Sequence, residues 1–155
     1  MSMMFTSLAI EITSAIGRAP DSESAMRTAV EMLKDRLPRY TWVGIYLLDG
    51  DELVLGPYLG KPTRHVRIPL DRGICGAAAS QKTTIVVDDV NSDPRYLACS
   101  LETNSEIVVP IMAGELLVGE FDIESDLSAA FGPRDQALLA EIARALADRV
   151  SALAR

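Results

Sequence analysis

Basic residues are in short supply in this chain: 15 Lys and Arg stand against 22 Asp and Glu, for a net charge of −7. A nucleic-acid surface needs clustered cations to displace counterions from phosphates, so DNA and RNA are not expected partners. Long apolar runs are missing as well. No stretch reaches the ~20 residues of a membrane span, and the segment from Met1 to Gly17 has no early Lys or Arg and contains Glu11, which makes it a poor secretory signal. The expectation is no membrane and a cytoplasmic location. There are only two cysteines, Cys75 and Cys99, too few for a disulfide scaffold, and one histidine, His65. With no second His or Cys at a ligand spacing from His65, no metal site is expected, and a single loop histidine is ordinarily exposed. Linkers, repeats and low-complexity tracts are absent. So are a Gly-rich phosphate loop and a βαβ alternation, which weakens a nucleotide-enzyme reading.

What remains is a chain that is 48% hydrophobic and 24% charged, the balance of a single domain over residues 1–155 with a real core. Phe5, Leu8, Ile12 and Ile16 form one apolar stripe on a first helix that ends near Gly17. After Pro20 and Asp21, a second helix is marked by Met26, Ala29, Val30, Leu33 and Leu37 and closed by Pro38. Thr41 to Leu48 is β-branched and aromatic, and Asp49-Gly50 signals a hairpin before Glu52 to Leu55. Gly56 to Val66, with two Gly and two Pro, reads as a long loop. A strand is expected over Val66 to Leu70, a small-residue helix over Cys75 to Gln81 and a strand over Thr83 to Val87. A polar connection follows from Asp88 to Thr103, with a helical turn around Tyr96 to Cys99. Glu106 to Met112 and Glu115 to Glu124 make a second hairpin around Gly114, with Pro110 where no ladder donor is needed. Pro133 opens a last helix with Leu138, Ile142, Leu146, Val150 and Leu153 on its buried stripe. Helices at both ends with hairpins between them predict an α+β fold with an antiparallel sheet.

The strand that ends at Glu124 carries the first chemical signal. Leu117, Gly119, Phe121 and Ile123 take one face, and Glu120, Asp122 and Glu124 the other. A three-residue turn at Ala113 to Glu115 would place Glu106 opposite Asp122, about 5 Å away, and a neighbouring register moves it by one position. Glu106, Asp122 and Glu124 then gather on one patch. Such a patch is either a solvated acidic face or a pocket, in which crowding keeps one carboxyl protonated as an acid while the others hold a cationic amine. Cys75 sits at a helix start, where backbone N–H groups favour a thiolate, and Cys99 lies in a polar loop; both also fit ordinary buried thiols. Trp42 and Tyr46, four apart on the first strand, share a face as core packing or as the apolar wall of a small pocket.

Several segments resemble one family. Trp42-Val43-Gly44-Ile45-Tyr46-Leu47-Leu48, Gly56-Pro57-Tyr58-Leu59-Gly60-Lys61-Pro62, Arg67-Ile68-Pro69, Arg72-Gly73-Ile74-Cys75-Gly76, Asn104-Ser105-Glu106-Ile107-Val108-Val109-Pro110 and Phe121-Asp122-Ile123-Glu124-Ser125 are similar to the free methionine-(R)-sulfoxide reductases, which are single GAF domains. The resemblance implies a GAF-type antiparallel sheet flanked by N- and C-terminal helices. It implies Cys99 as the nucleophile, Cys75 as a second redox cysteine, and Glu106, Asp122 and Glu124 as the substrate carboxylates, with Glu106 or Asp122 as the proton donor. Trp42 and Tyr46 would border the substrate. Free methionine sulfoxide would be the substrate and a thioredoxin-type dithiol the reductant, with no cofactor; a homodimer through the terminal helices follows by analogy. In one respect the chain departs from the family. Ten positions before Cys75, where the family usually has another cysteine, stands His65, which cannot form a disulfide. Either Cys75 or an external thiol resolves oxidised Cys99, or the chain is a non-catalytic GAF module that binds a small amine-bearing or redox ligand.

Overall fold

A computed structural model gives the structure of the chain and describes residues 3–97 and 101–150. Cys99 and Leu153 lie outside the described residues. Helix α1 (Met3–Arg18) and helix α2 (Ser22–Arg36) form where the apolar stripes predict them, and Phe5, Leu8, Ile12, Ile16, Met26, Ala29, Val30 and Leu33 are all buried. Asp21 caps α2 by accepting a hydrogen bond from the Ser24 N–H at 2.7 Å. Pro133 is the first residue of α4 (Pro133–Val150), whose buried stripe includes Leu138, Ile142, Leu146 and Val150.

Between these helices run β1 (Trp42–Asp49), β2 (Glu52–Leu59), β3 (Arg67–Pro69), α3 (Gly73–Gln81), β4 (Ile85–Val87), β5 (Ser105–Ala113) and β6 (Leu116–Ser125). The strands form one antiparallel sheet in the order β3-β2-β1-β6-β5-β4. One face packs on α1, α2 and α4, with Val43, Ile45, Ile107, Phe121 and Ile123 pointing into that core. The other face is covered by α3 and by residues 90–97, and it holds a second cluster that includes Trp42, Tyr46, Ile74, Cys75 and Leu117.

Four sequence expectations need correction. Gly56 to Leu59 is strand rather than loop: Leu59 pairs with Val43 and Tyr58 with Gly44, and an irregularity near Gly56 and Pro57 absorbs the Gly/Pro pair within the ladder. Helix α3 begins at Gly73, two residues earlier than expected, because Gly73 adopts the left-handed φ of +69° that the helix entry needs. The described helical turn in the polar connection lies at Val90–Ser92, capped by Asp89, while Tyr96 and Leu97 are not helical. The hairpin register also differs. Glu106 pairs with Glu124 and Val108 with Asp122, because the turn is tighter and Val118 forms a bulge. That extra residue turns Leu117 to the acidic face and sends Val118 into the helix-covered core. Pro110 sits beyond the end of β4, whose pairing stops at Val108, so the missing N–H interrupts no bond there.

Candidate active site

The alternation of β6 sets the site. Glu120, Asp122 and Glu124 face α3, and their cross-strand neighbours on β1 are Tyr46, Gly44 and Trp42 respectively. On β5 the facing residues are Pro110, Val108 and Glu106. An acidic row thus lies between an aromatic wall and a fourth carboxylate. It is not a solvated face: Glu106, Asp122 and Glu124 are buried, and Glu120 has no exposed surface. Helix α3 and the segment ending in Tyr96 and Leu97 roof it over, which the pattern of a single strand could not reveal.

Helix α3 presents Cys75 to this row. Ligand-bearing atoms of Cys75, Glu106 and Asp122 all lie within 4.8 Å of one another. The thiolate expected from a helix start is not favoured here. Burial first, and then the charges of Asp122, Glu120 and Glu106, push the Cys75 thiol well above its ordinary value, so burial and the carboxylates together outweigh the helix end. Asp122 is likewise raised by burial, opposed by hydrogen bonds with Glu106 and Cys75 and by the charge of His65. Burial and the neighbouring Asp122 push Glu120 well up. Glu120 faces the Cys75 thiol, and neither Glu120 oxygen, nor Asp122 Oδ1, meets an N–H or O–H donor among the described residues. A buried acid in such surroundings holds its proton near neutral pH and is available as a donor.

Two spaces adjoin the row. A cavity of about 20 Å³ is lined by Tyr46, His65, Cys75, Glu106 and Asp122, with Leu97 among the residues closing it. The second is a cleft of about 240 Å³ bordered by Trp42, Lys61, Glu102, Thr103 and Glu124. Glu124 in the cleft and Glu106 in the cavity are cross-strand partners, so the row joins the two. Trp42 stacks on Tyr58 with ring centroids 5.4 Å apart, and its indole N–H donates to the Lys61 carbonyl at 2.9 Å. It lies flat over β1 because residue 44 is glycine: a Cβ there would fall 2.4 Å from the indole ring. The Tyr46 hydroxyl donates to the His65 carbonyl at 2.7 Å, and the Tyr96 hydroxyl reaches Glu124 Oε1 at 3.3 Å. A salt bridge from Lys61 to Glu102 spans the cleft mouth.

The structure therefore brings Cys75, Glu106, Asp122, Glu124, Trp42 and Tyr46 together around one row. Residues 98–100, with Cys99, lie outside the described residues. Two residues were missed. Glu120 shares its parity with Asp122 and Glu124, a signal present in the sequence. His65 is half-buried and lines the cavity rather than standing in solvent, and no sequence spacing foretold it.

The chain matches the GAF domain family over residues 21–150. It is 38% identical over 120 residues to the free methionine-R-sulfoxide reductase of Escherichia coli, spanning 75% of this chain and 72% of that protein. Among solved structures, the free methionine-R-sulfoxide reductase of Neisseria meningitidis in complex with its substrate superposes with a TM-score of 0.90 at 35% identity, covering 96% of this chain and 89% of that one. The type II free methionine-R-sulfoxide reductase of Thermoplasma acidophilum is 41% identical with a TM-score of 0.82, covering 84% and 93%.

Proposed function

The chain belongs to the GAF domain family and, within it, to the free methionine-R-sulfoxide reductases, and from that membership we propose that it reduces free L-methionine (R)-sulfoxide to L-methionine with thiols as the source of electrons. The observation that carries this reading is a cysteine thiol, Cys75, packed against the buried carboxyls of Glu106 and Asp122 beside an aromatic-walled cleft.

Cys99 is the nucleophile. Its sulfur attacks the sulfoxide sulfur while a protonated carboxyl, from Glu106 or Asp122, donates to the sulfoxide oxygen. The oxygen passes to Cys99 as a sulfenic acid, and methionine leaves as the thioether. Cys75 then attacks the sulfenic sulfur, a disulfide forms and the oxygen departs as water. A thioredoxin-type dithiol restores both thiols by exchange. In total two thiols are oxidised, one sulfoxide is reduced and one water is released. Glu124 and the remaining ionised carboxyl hold the α-amine, so a free amino acid is preferred to a methionine within a peptide. Trp42 and Tyr46 flank the methyl-thioether end.

The high proton affinity of the Cys75 thiol supports its place as the second thiol rather than the first: it is quiet at rest and needs a base when its turn comes. The adjacent carboxylates are such bases. The space of about 20 Å³ beside Cys75 has room for one small group of a substrate. Residues 1–155 are read as one such domain, with α1 packed against α4 in the core in support. Exposed Met3, Met4 and Ile10 on α1 support pairing of two copies through the terminal helices. Among the described residues no helix is long and apolar enough to cross a membrane, and a cycling thiol pair suits the reducing cytoplasm.

Single-turnover chemistry tests the assignment. Cys99→Ser should form no methionine at all. Cys75→Ser should form about one equivalent per chain and then stall with a trappable sulfenic acid. Methionine formation by Cys99→Ser at the wild-type rate would remove the mechanism.

A further inference from the structure

We propose that Cys75, Glu106 and Asp122 bind a divalent thiophilic cation of the Zn²⁺ class, which fills the small cavity and blocks the reductase. Under the proposed function the same cavity serves sulfoxide reduction, so the inference rests on that reading only for its inhibitory consequence.

The geometry is that of a preformed coordination site. One sulfur and two carboxylate oxygens, from α3, β5 and β6, come within 4.8 Å of one another and are all buried. Ligands around a tetrahedral zinc, bonded at ~2.0–2.3 Å, stand ~3.3–3.8 Å apart, so closure requires movements of only about 1 Å. The space of about 20 Å³ fits one atom-sized guest, and His65 lines it as a source of a fourth ligand. The buried carboxyls of the row also point to a cation. Glu120, with no exposed surface, faces the Cys75 thiol, and neither its oxygens nor Asp122 Oδ1 meets an N–H or O–H donor among the described residues. Loss of protons from this crowded row is opposed by repulsion among the carboxylates, and a dication offsets that repulsion. The donor set selects the metal. A thiolate ligand disfavours Mg²⁺ and Ca²⁺, which take all-oxygen shells, and favours Zn²⁺ and its neighbours in the transition series. Occupancy ties up Cys75 as a bound thiolate and removes the proton donor from Glu106 and Asp122, which is why the bound form is inactive.

The test uses the full-length protein, reduced, stripped with a chelator and titrated with Co²⁺ in the absence of substrate. Wild type and Cys99→Ser should both develop a sulfur-to-cobalt charge-transfer band that added Zn²⁺ erases. The band should vanish in Cys75→Ser. Asp122→Asn should keep the band but weaken binding by at least about tenfold. Circular dichroism of each variant confirms folding, and Asp122→Asn decides the matter should Cys75→Ser fail to fold. No band in wild type, a band that survives Cys75→Ser, or undiminished affinity in Asp122→Asn would overturn the site. Cobalt binding by a protein that reduces no sulfoxide in chelator defeats the reductase reading and leaves the metal site standing. Reduction in chelator without cobalt binding does the reverse.

Discussion

Replacing Glu120 with methionine should make the protein more stable. Glu120 is 0% exposed and faces only the weak thiol donor of Cys75 among the described residues, so the dehydration of its carboxyl on folding is poorly compensated. A buried polar group in that condition costs about 1–3 kcal/mol. Methionine has similar length and adapts to irregular space, so Glu120→Met recovers about that amount. For a domain of this size the thermal midpoint rises by about 2–4 °C per kcal/mol. Glu120→Gln separates the two contributions, because it keeps the polar burden and loses only the proton. Burial first and Asp122 second hold the folded Glu120 well above its ordinary 4.5, so the folded chain retains a proton that the unfolded chain has released. The stability linked to that proton is complete below 4.5 and is lost as pH climbs toward the folded value. Urea unfolding in chelator from about pH 5 to pH 8 should show wild type losing stability with rising pH, at no more than ~1.4 kcal/mol per unit from this group. Glu120→Gln should remove that portion of the slope. A Glu120→Met protein less stable than wild type, or superimposable pH profiles for wild type and Glu120→Gln, would refute the reasoning.

Three further outcomes are expected. Asp135 on α4 is buried and accepts from the Gly132 N–H at 2.9 Å, the Tyr40 hydroxyl at 2.6 Å and the Arg39 guanidinium, so Asp135→Ala should cost about 3 kcal/mol in denaturant unfolding without altering substrate preference. Gly44→Ala drives a methyl into the Trp42 indole and should shift tryptophan fluorescence and weaken substrate binding more than it lowers kcat; an unchanged emission maximum would count against the packing described. Glu124→Gln removes a carboxylate proposed to hold the substrate amine, and steady-state assays should show KM raised by roughly 10- to 100-fold, the worth of a charge-assisted hydrogen bond, with a smaller effect on kcat.

Much of this molecule was legible from the chain alone, where one physical signal dominated. The stripe from Phe5 to Ile16 marks a helix by its burial, and Pro133, preset at the first helical position, marks the start of another. The alternation along β6 put Glu120, Asp122 and Glu124 on one face without knowledge of the partner strand. What was illegible depended on distant segments. Residues Gly56 and Pro57 argue locally for a loop, yet pairing with β1 carries the strand through to Leu59. The register of β5 on β6 turned on the Val118 bulge, which no short-range rule specifies. Whether the acids were solvated depended on α3 and the segment after Asp88 folding over the sheet. The proton affinity of Cys75 followed its neighbours in space rather than its place in a helix. His65 reached Asp122 through a loop whose path the sequence does not announce.

The most direct test supplies the reduced protein with each epimer of free methionine sulfoxide, alone and within a short peptide, together with a dithiol and chelator, and follows methionine formation. The account predicts turnover of the free R epimer and none of the S epimer or the peptide. Folded protein that leaves the free R epimer untouched, or that consumes both epimers equally, would contradict it.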